Sequence, residues 1–134
     1  MEISLVESTK VQMQGRLPGQ FRERVKSYAA KVIRLFVKLP KKQEEVRVLG
    51  KQLLRSGTSV AAHVREASRA RSDAEFISKL GGAIQEADES LLWLELLREE
   101  CGVDPVVTEP LEKESSEMIA IFTTMINRTR NRGG

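Results

Sequence analysis

The chain has 134 residues, 40% of them hydrophobic and 31% charged, enough for one domain whose core needs no cross-links. Aromatics at 4% argue against an all-β barrel and against a base-stacking platform, and a single cysteine, Cys101, excludes an internal disulfide and suits a reducing compartment. The net charge of +3 hides an asymmetry: residues 1–71 hold 16 Lys/Arg against 6 Asp/Glu, and residues 72–134 hold 6 against 13. A basic half can meet a polyanion, and opposite halves can meet between copies of the chain. Two amphipathic hairpins that happen to differ in charge would read the same way.

The N-terminus has no basic, apolar signal pattern, and no stretch approaches the roughly 18 apolar residues of a membrane span. The expectation is a cytoplasmic protein of bacterial type with no membrane association. Residues 1–17 show no clean period and lead into Pro18-Gly19, so residues 1–19 read as an arm. A first helix is predicted from about Gln20 to Leu39, where Phe21, Val25, Tyr28, Val32, Leu35 and Leu39 form one seam. Pro40 ends it and suits the first turn of the next helix.

A second helix is predicted from about Lys41 to Ala70. Its seam is Val46, Leu49, Leu53, Gly57, Val60, Val64 and Ala67. Gly57 on that seam, with Ser56, Thr58 and Ser59 around it, points to close approach of a neighbouring backbone; a bound ligand or anion is the competing reading. The other face is basic. Arg47, Lys51, Arg65 and Arg69 fall within about 40° of one another, with Arg55 a little further round, and Arg47 and Arg65 stand about 27 Å apart along the axis. Such a stripe, continued by Arg71, could track a phosphate backbone; a solvated outer face is the commoner meaning.

Ser72 followed by Glu75 is a capping box that opens a third helix running to about Glu100. Ile77, Leu80, Ile84, Ala87, Leu91, Leu94 and Arg98 keep a heptad, and Phe76, Ala83, Ser90 and Leu97 widen its buried face. Residues 103–108 read as a loop. A fourth helix opens at Thr108-Glu109-Pro110, with Leu111, Ser115, Met118, Phe122 and Met125 on its seam, and residues 128–134 read as a basic tail. The predicted fold is all-α: an antiparallel up-down-up-down four-helix bundle over residues 20–127, with helices two and three longer than one and four. Helices two and three, at about 42 Å, would project an apolar overhang that calls for a partner. The charge asymmetry favours a head-to-tail ring.

No residue pattern carries chemistry. One His and one Cys leave only a carboxylate metal site, and the Glu-x-x-His spacing of di-iron bundles is absent. No phosphate-binding glycine loop or dinucleotide fingerprint occurs. His63 reads as a helix-packing residue and Trp93 as a core or interface anchor. The expectation is a non-enzyme with no catalytic residues, no metal and no cofactor.

The run Leu53-Leu54-Arg55-Ser56-Gly57-Thr58-Ser59-Val60-Ala61-Ala62-His63, then Glu66-Ala67, Phe76 to Leu80, Gln85 to Ser90 and Trp93 to Leu97, resembles the 23S rRNA intervening-sequence proteins over roughly residues 20–127. The resemblance implies a four-helix bundle assembled as a homopentamer, with no catalytic residues. It also implies similarity to the accessory variability determinant of diversity-generating retroelements, which binds nucleic acid and a reverse transcriptase. RNA, DNA, a reverse transcriptase or another protein are the partners implied besides the chain itself. Its motifs add Glu66 and Glu89 to Ser56, Gly57, Thr58, Ser59, His63 and Trp93 as packing or interface candidates. His63 stands where the family usually has asparagine, and Leu92 where a tyrosine commonly precedes the tryptophan.

Overall fold

A computed structural model of the chain describes residues 15–133. The expectation for the first part of the N-terminal arm, residues 1–14, and for Gly134 lies outside the described residues. Four helices follow in order: α1 (Gly19–Lys38), α2 (Glu44–Ser68), α3 (Asp73–Glu99) and α4 (Pro105–Gly133). Connections of a few residues make each neighbour antiparallel, and the helices pack in ring order, with α1 closing onto α4 over the shortest seam. α2 and α4 stand at opposite corners.

The buried faces follow the sequence periodicity. Every seam residue predicted for α1 is buried, and on α2 all but half-buried Leu49 are. On α3 the two predicted stripes exchange rank. Phe76, Leu80, Ala83, Ala87, Ser90, Leu94 and Leu97 form the buried line, while Ile77, Ile84, Leu91 and Arg98 are half-buried. The reason is position. Arg98 binds Glu112 of α4, so the stripe seven residues apart on its side flanks α4 rather than the core. On α4, Ile126 and Thr129 replace Met125 at the end of the buried line.

Three boundaries differ from expectation. Pro40 belongs to the link, not to the second helix: Leu39 is extended (φ −64°, ψ 144°), as a residue before proline prefers, and α2 starts at Glu44. α4 starts at Pro105, not at Thr108, because Asp104 accepts the Val106 N–H at 3.0 Å and Pro105 fits the first helical position. Pro110 consequently sits inside the helix, where the Val106 carbonyl lacks its usual donor. At the other end residues 128–133 are helical, with Thr129 Oγ1 donating to the Met125 carbonyl at 2.9 Å. α2 and α3, at 25 and 27 residues, do exceed α1 at 20, but α4 reaches 29 and is not a short helix. The expected apolar overhang is therefore absent: Val46 and Leu97, near the ends of α2 and α3, are fully covered within one chain.

The last part of the arm is docked. Arg16 donates its N–H to the Ser68 carbonyl and its Nε to the Ala70 carbonyl, both at 2.9 Å, and Leu17 is buried. Gly15 has φ +67°, and a Cβ there would collide with the Ser68 carbonyl oxygen.

Gly57 lets α1 approach α2. A Cβ in its place would stand 2.8 Å from a Val32 methyl. Next to it, four buried hydroxyls, one from each helix, form two hydrogen-bonded pairs in the core. Ser90 donates to the Glu86 carbonyl at 2.8 Å, which leaves Ser56 to donate to Ser90 across 2.7 Å. Ser115 donates to the Leu111 carbonyl at 2.8 Å, which leaves Tyr28 to donate to Ser115 across 2.7 Å. Burial pushes the Tyr28 phenol above its ordinary value.

Replacing Ser90 with Ala removes one pair's acceptor and leaves the buried Ser56 hydroxyl only a long bond of 3.4 Å to the Leu53 carbonyl, so stability should fall by about 1–3 kcal/mol. The combined Tyr28→Phe, Ser56→Ala, Ser90→Ala, Ser115→Ala protein should lose less than the sum of the four single losses, because no partner is left unpaired. Urea unfolding of the five variants measures both; additive losses would show that the hydroxyls act independently.

Candidate nucleic-acid interface

Arg47, Lys51, Arg55, Arg65, Arg69 and Arg71 are all exposed. The structure separates them into three settings. Arg47 and Lys51 flank a small cleft of about 160 Å³ over Phe36, Leu39 and Pro40, with Arg47 Nη1 donating to the Lys41 carbonyl at 2.6 Å. Arg65 and Arg69 line a groove of about 520 Å³ between α1 and α2, faced by Arg22 and Lys26 from α1. Glu23 and Glu66 also line it, so its charge is mixed but predominantly basic. Arg55 stands outside both clefts, and Arg71 lies in the link before α3.

Arg22 and Lys26 are not among the cations expected from the sequence. Their one-turn spacing is the signal; that they face Arg65 and Arg69 depends on how α1 meets α2. A second groove, of about 670 Å³, opens between α1 and α4, with Lys31, Arg34, Lys38 and Lys113 at its rim and exposed Val106 and Val107 beside them. Arg24 crosses this groove. Its Nε and Nη2 donate to the two Glu114 carboxylate oxygens, each at 2.7 Å, and Nη2 reaches Glu117 at 3.1 Å. This bidentate bond to Arg24 holds the Glu114 carboxyl below its ordinary value, and Arg98 does the same to Glu112.

The packing candidates lie mainly along the α2–α3 seam. Ser56 and Gly57 are buried, and Thr58 Oγ1 donates back to the Leu54 carbonyl at 2.8 Å. Ser59 is half-buried. The His63 ring stacks over Gly82, where a Cβ would sit 3.0 Å from it. Its Nδ1 is 3.2 Å from Glu66 Oε1, and Glu66 also meets Lys79 at 3.8 Å. Trp93 is half-buried against the core with its indole N–H covered and unpartnered among the described residues, and Glu89 is exposed. His63 and Cys101 belong to opposite ends of the bundle, since Gly82 and Cys101 are separated by about 28 Å of helix. Burial raises the Cys101 thiol above its ordinary value. Among the described residues no three His, Cys, Asp or Glu side chains converge as metal ligands, and no helix is long and apolar enough to cross a membrane.

These features define an all-α four-helix bundle with a basic α1–α2 flank and an acidic α3. Residues 20–124 match the family model described as 23S rRNA-intervening sequence protein, and the chain belongs to that family. It is similar to a crystal structure of a protein of unknown function from the S23 ribosomal protein family of Bacteroides thetaiotaomicron VPI-5482. The two share 35% sequence identity with a TM-score of 0.73, over 79% of this chain and 94% of the other. No curated protein matches the chain.

A depressed folded-state carboxyl contributes stability that is present above its ordinary value near 4.5 and is lost as pH falls through the lower folded value. Arg24→Gln should therefore cost roughly 0.5–1 kcal/mol near neutral pH, a modest figure because the pair is partly solvated. The difference from wild type should shrink toward zero on acidification below that range. Urea unfolding at neutral and acid pH checks it; a difference independent of pH would assign the loss to packing.

Proposed function

We propose that the protein is a non-enzymatic, self-assembling helical bundle of the cytoplasm that holds RNA on the basic flank of α2. The observation that carries this reading is the exposure of all six predicted cations along one helix and its following link, with Arg22 and Lys26 added from α1. A row of cations along an axis of about 36 Å matches a phosphate backbone better than it matches any small anion. The family description ties its members to rRNA, which favours RNA over DNA. The single thiol suits the reducing cytoplasm.

Self-association is supported by a different surface. Val106 is 78% and Val107 40% exposed beside the basic rim of the α1–α4 groove, while Leu92 is 46% exposed among the acidic side chains of α3. Apolar groups ringed by opposite charges suit a head-to-tail contact between copies, and a closed ring such as a pentamer satisfies every such contact. An adaptor that binds another protein through the same apolar groups is the second reading.

Labelled RNA should bind with an affinity that falls steeply with salt, each phosphate contact adding about 0.7–0.9 to the logarithmic slope. Reversing Arg47, Lys51, Arg65 and Arg69 to Glu should weaken binding by about 100-fold or more at moderate salt without lowering the native mass. Fluorescence anisotropy with light scattering on the same samples measures both. Binding that survives the reversal would remove the α2 flank from the function and leave the adaptor reading.

A further inference from the structure

The fold gathers a second group of arginines that sequence order keeps far apart. Arg132, near the end of α4, reaches Asp73 at the start of α3 across 3.7 Å. Arg71 is two residues before Asp73, and Arg69 caps α2 just before that. Arg128 lies one turn back from Arg132 on α4. The ends of α2 and α4 and the start of α3 thus meet at one pole of the bundle. Arg69, Arg71, Arg128 and Arg130 are exposed there, and none forms a salt bridge among the described residues. The Arg132 side chain is 70% exposed. Asp73 is the acid at the centre of this pole, and it already binds Arg16 at 2.6 Å. The carbonyl ends of α2 and α4 and the N-terminal ends of α1 and α3 all point to this pole, so the helix dipoles offset one another there. The family match stops at residue 124, so Arg128, Arg130 and Arg132 lie outside the matched region.

We propose that this pole continues the α2 flank into one phosphate-binding track that turns over the end of the bundle, and that its ligand is single-stranded nucleic acid. The proposal rests on the nucleic-acid reading of the α2 flank and adds the class of strand. From Arg47 to Arg69 the track runs along the bundle axis. From Arg69 through Arg71 to Arg132 and Arg128 it crosses to the corner diagonal to α2. A double helix, stiff over about 150 base pairs, cannot follow a turn made within the width of one bundle. A single strand can. Arginine also offers planar stacking to unpaired bases, a role that the few aromatics of this chain leave open.

The test compares a uridine-only RNA single strand with a blunt RNA duplex of equal length, by anisotropy across a salt series on the full chain. The variant is Arg71→Gln with Arg128→Gln, two exposed side chains of the track that form no salt bridge among the described residues. Unchanged thermal unfolding confirms that α4 persists. Single-strand affinity should fall about tenfold and its logarithmic salt slope by about 1.4, while duplex affinity changes less than about twofold. Unchanged single-strand binding, or equal losses for both RNAs, overturns the track. If binding then still depends on Arg47, Lys51, Arg65 and Arg69, the α2 reading stands without the pole. If the wild-type protein binds neither RNA, both readings fall.

Discussion

The two buried hydroxyl pairs, Ser56–Ser90 between α2 and α3 and Tyr28–Ser115 between α1 and α4, are the constraint on which the rest of the bundle depends. An apolar four-helix core tolerates sliding, because one leucine packs against another with little preference for register. Four hydroxyls in a dry core do not, since each must find its partner or leave a polar group unsatisfied at a cost of about 1–3 kcal/mol. The pairs take one residue from every helix: one sets the axial position of α2 against α3, the other that of α1 against α4. Gly57, next to Ser56, acts by a different means. Removing a side chain there brings α1 near enough to α2 for Val32 to fill the space.

Register in turn places the charges. With Ser56 opposite Ser90, His63 falls over Gly82 and Glu66 meets Lys79. With Tyr28 opposite Ser115, Arg24 reaches Glu114 and Glu117. Val32 packed against Gly57 sets α1 beside α2 and puts Arg22 and Lys26 across from Arg65 and Arg69, which turns a one-helix stripe into a two-walled basic groove. A slip of α1 by one turn would break the Tyr28–Ser115 pair and would also move those cations apart by about 5.4 Å. Stability and the electrostatic surface therefore share a cause.

The distribution of apolar exposure separates two surfaces with different physics. The α2 flank and the arginine pole are charged and wet, suited to a polyanion whose attraction is long-ranged and screened by salt. The α1–α4 groove and the Leu92 region of α3 combine apolar groups with charge of opposite sign, suited to short-range contact between proteins. Assembly through the second pair leaves the first free, so a ring of copies would multiply the phosphate contacts without consuming them.

Much of the fold was legible in the sequence because amphipathic spacing is a local property. The α1 seam, the Ser72–Glu75 cap and nearly all of the α2 seam need no knowledge of neighbours. The start of α4 was also legible in principle, in Asp104-Pro105, but the later Thr108-Glu109-Pro110 carries a similar signal and is in fact interior helix. On α3 two stripes are both apolar, and only the position of α4 decides which is central. The six α2 and link cations could be named from sequence, since helical spacing alone puts most of them on one face. Their opposing wall on α1, the pairing of the hydroxyls across helices and the union of Arg71 with Arg132 could not. Those depend on side chains tens of residues apart arriving at the same point, which packing register fixes and local sequence does not encode.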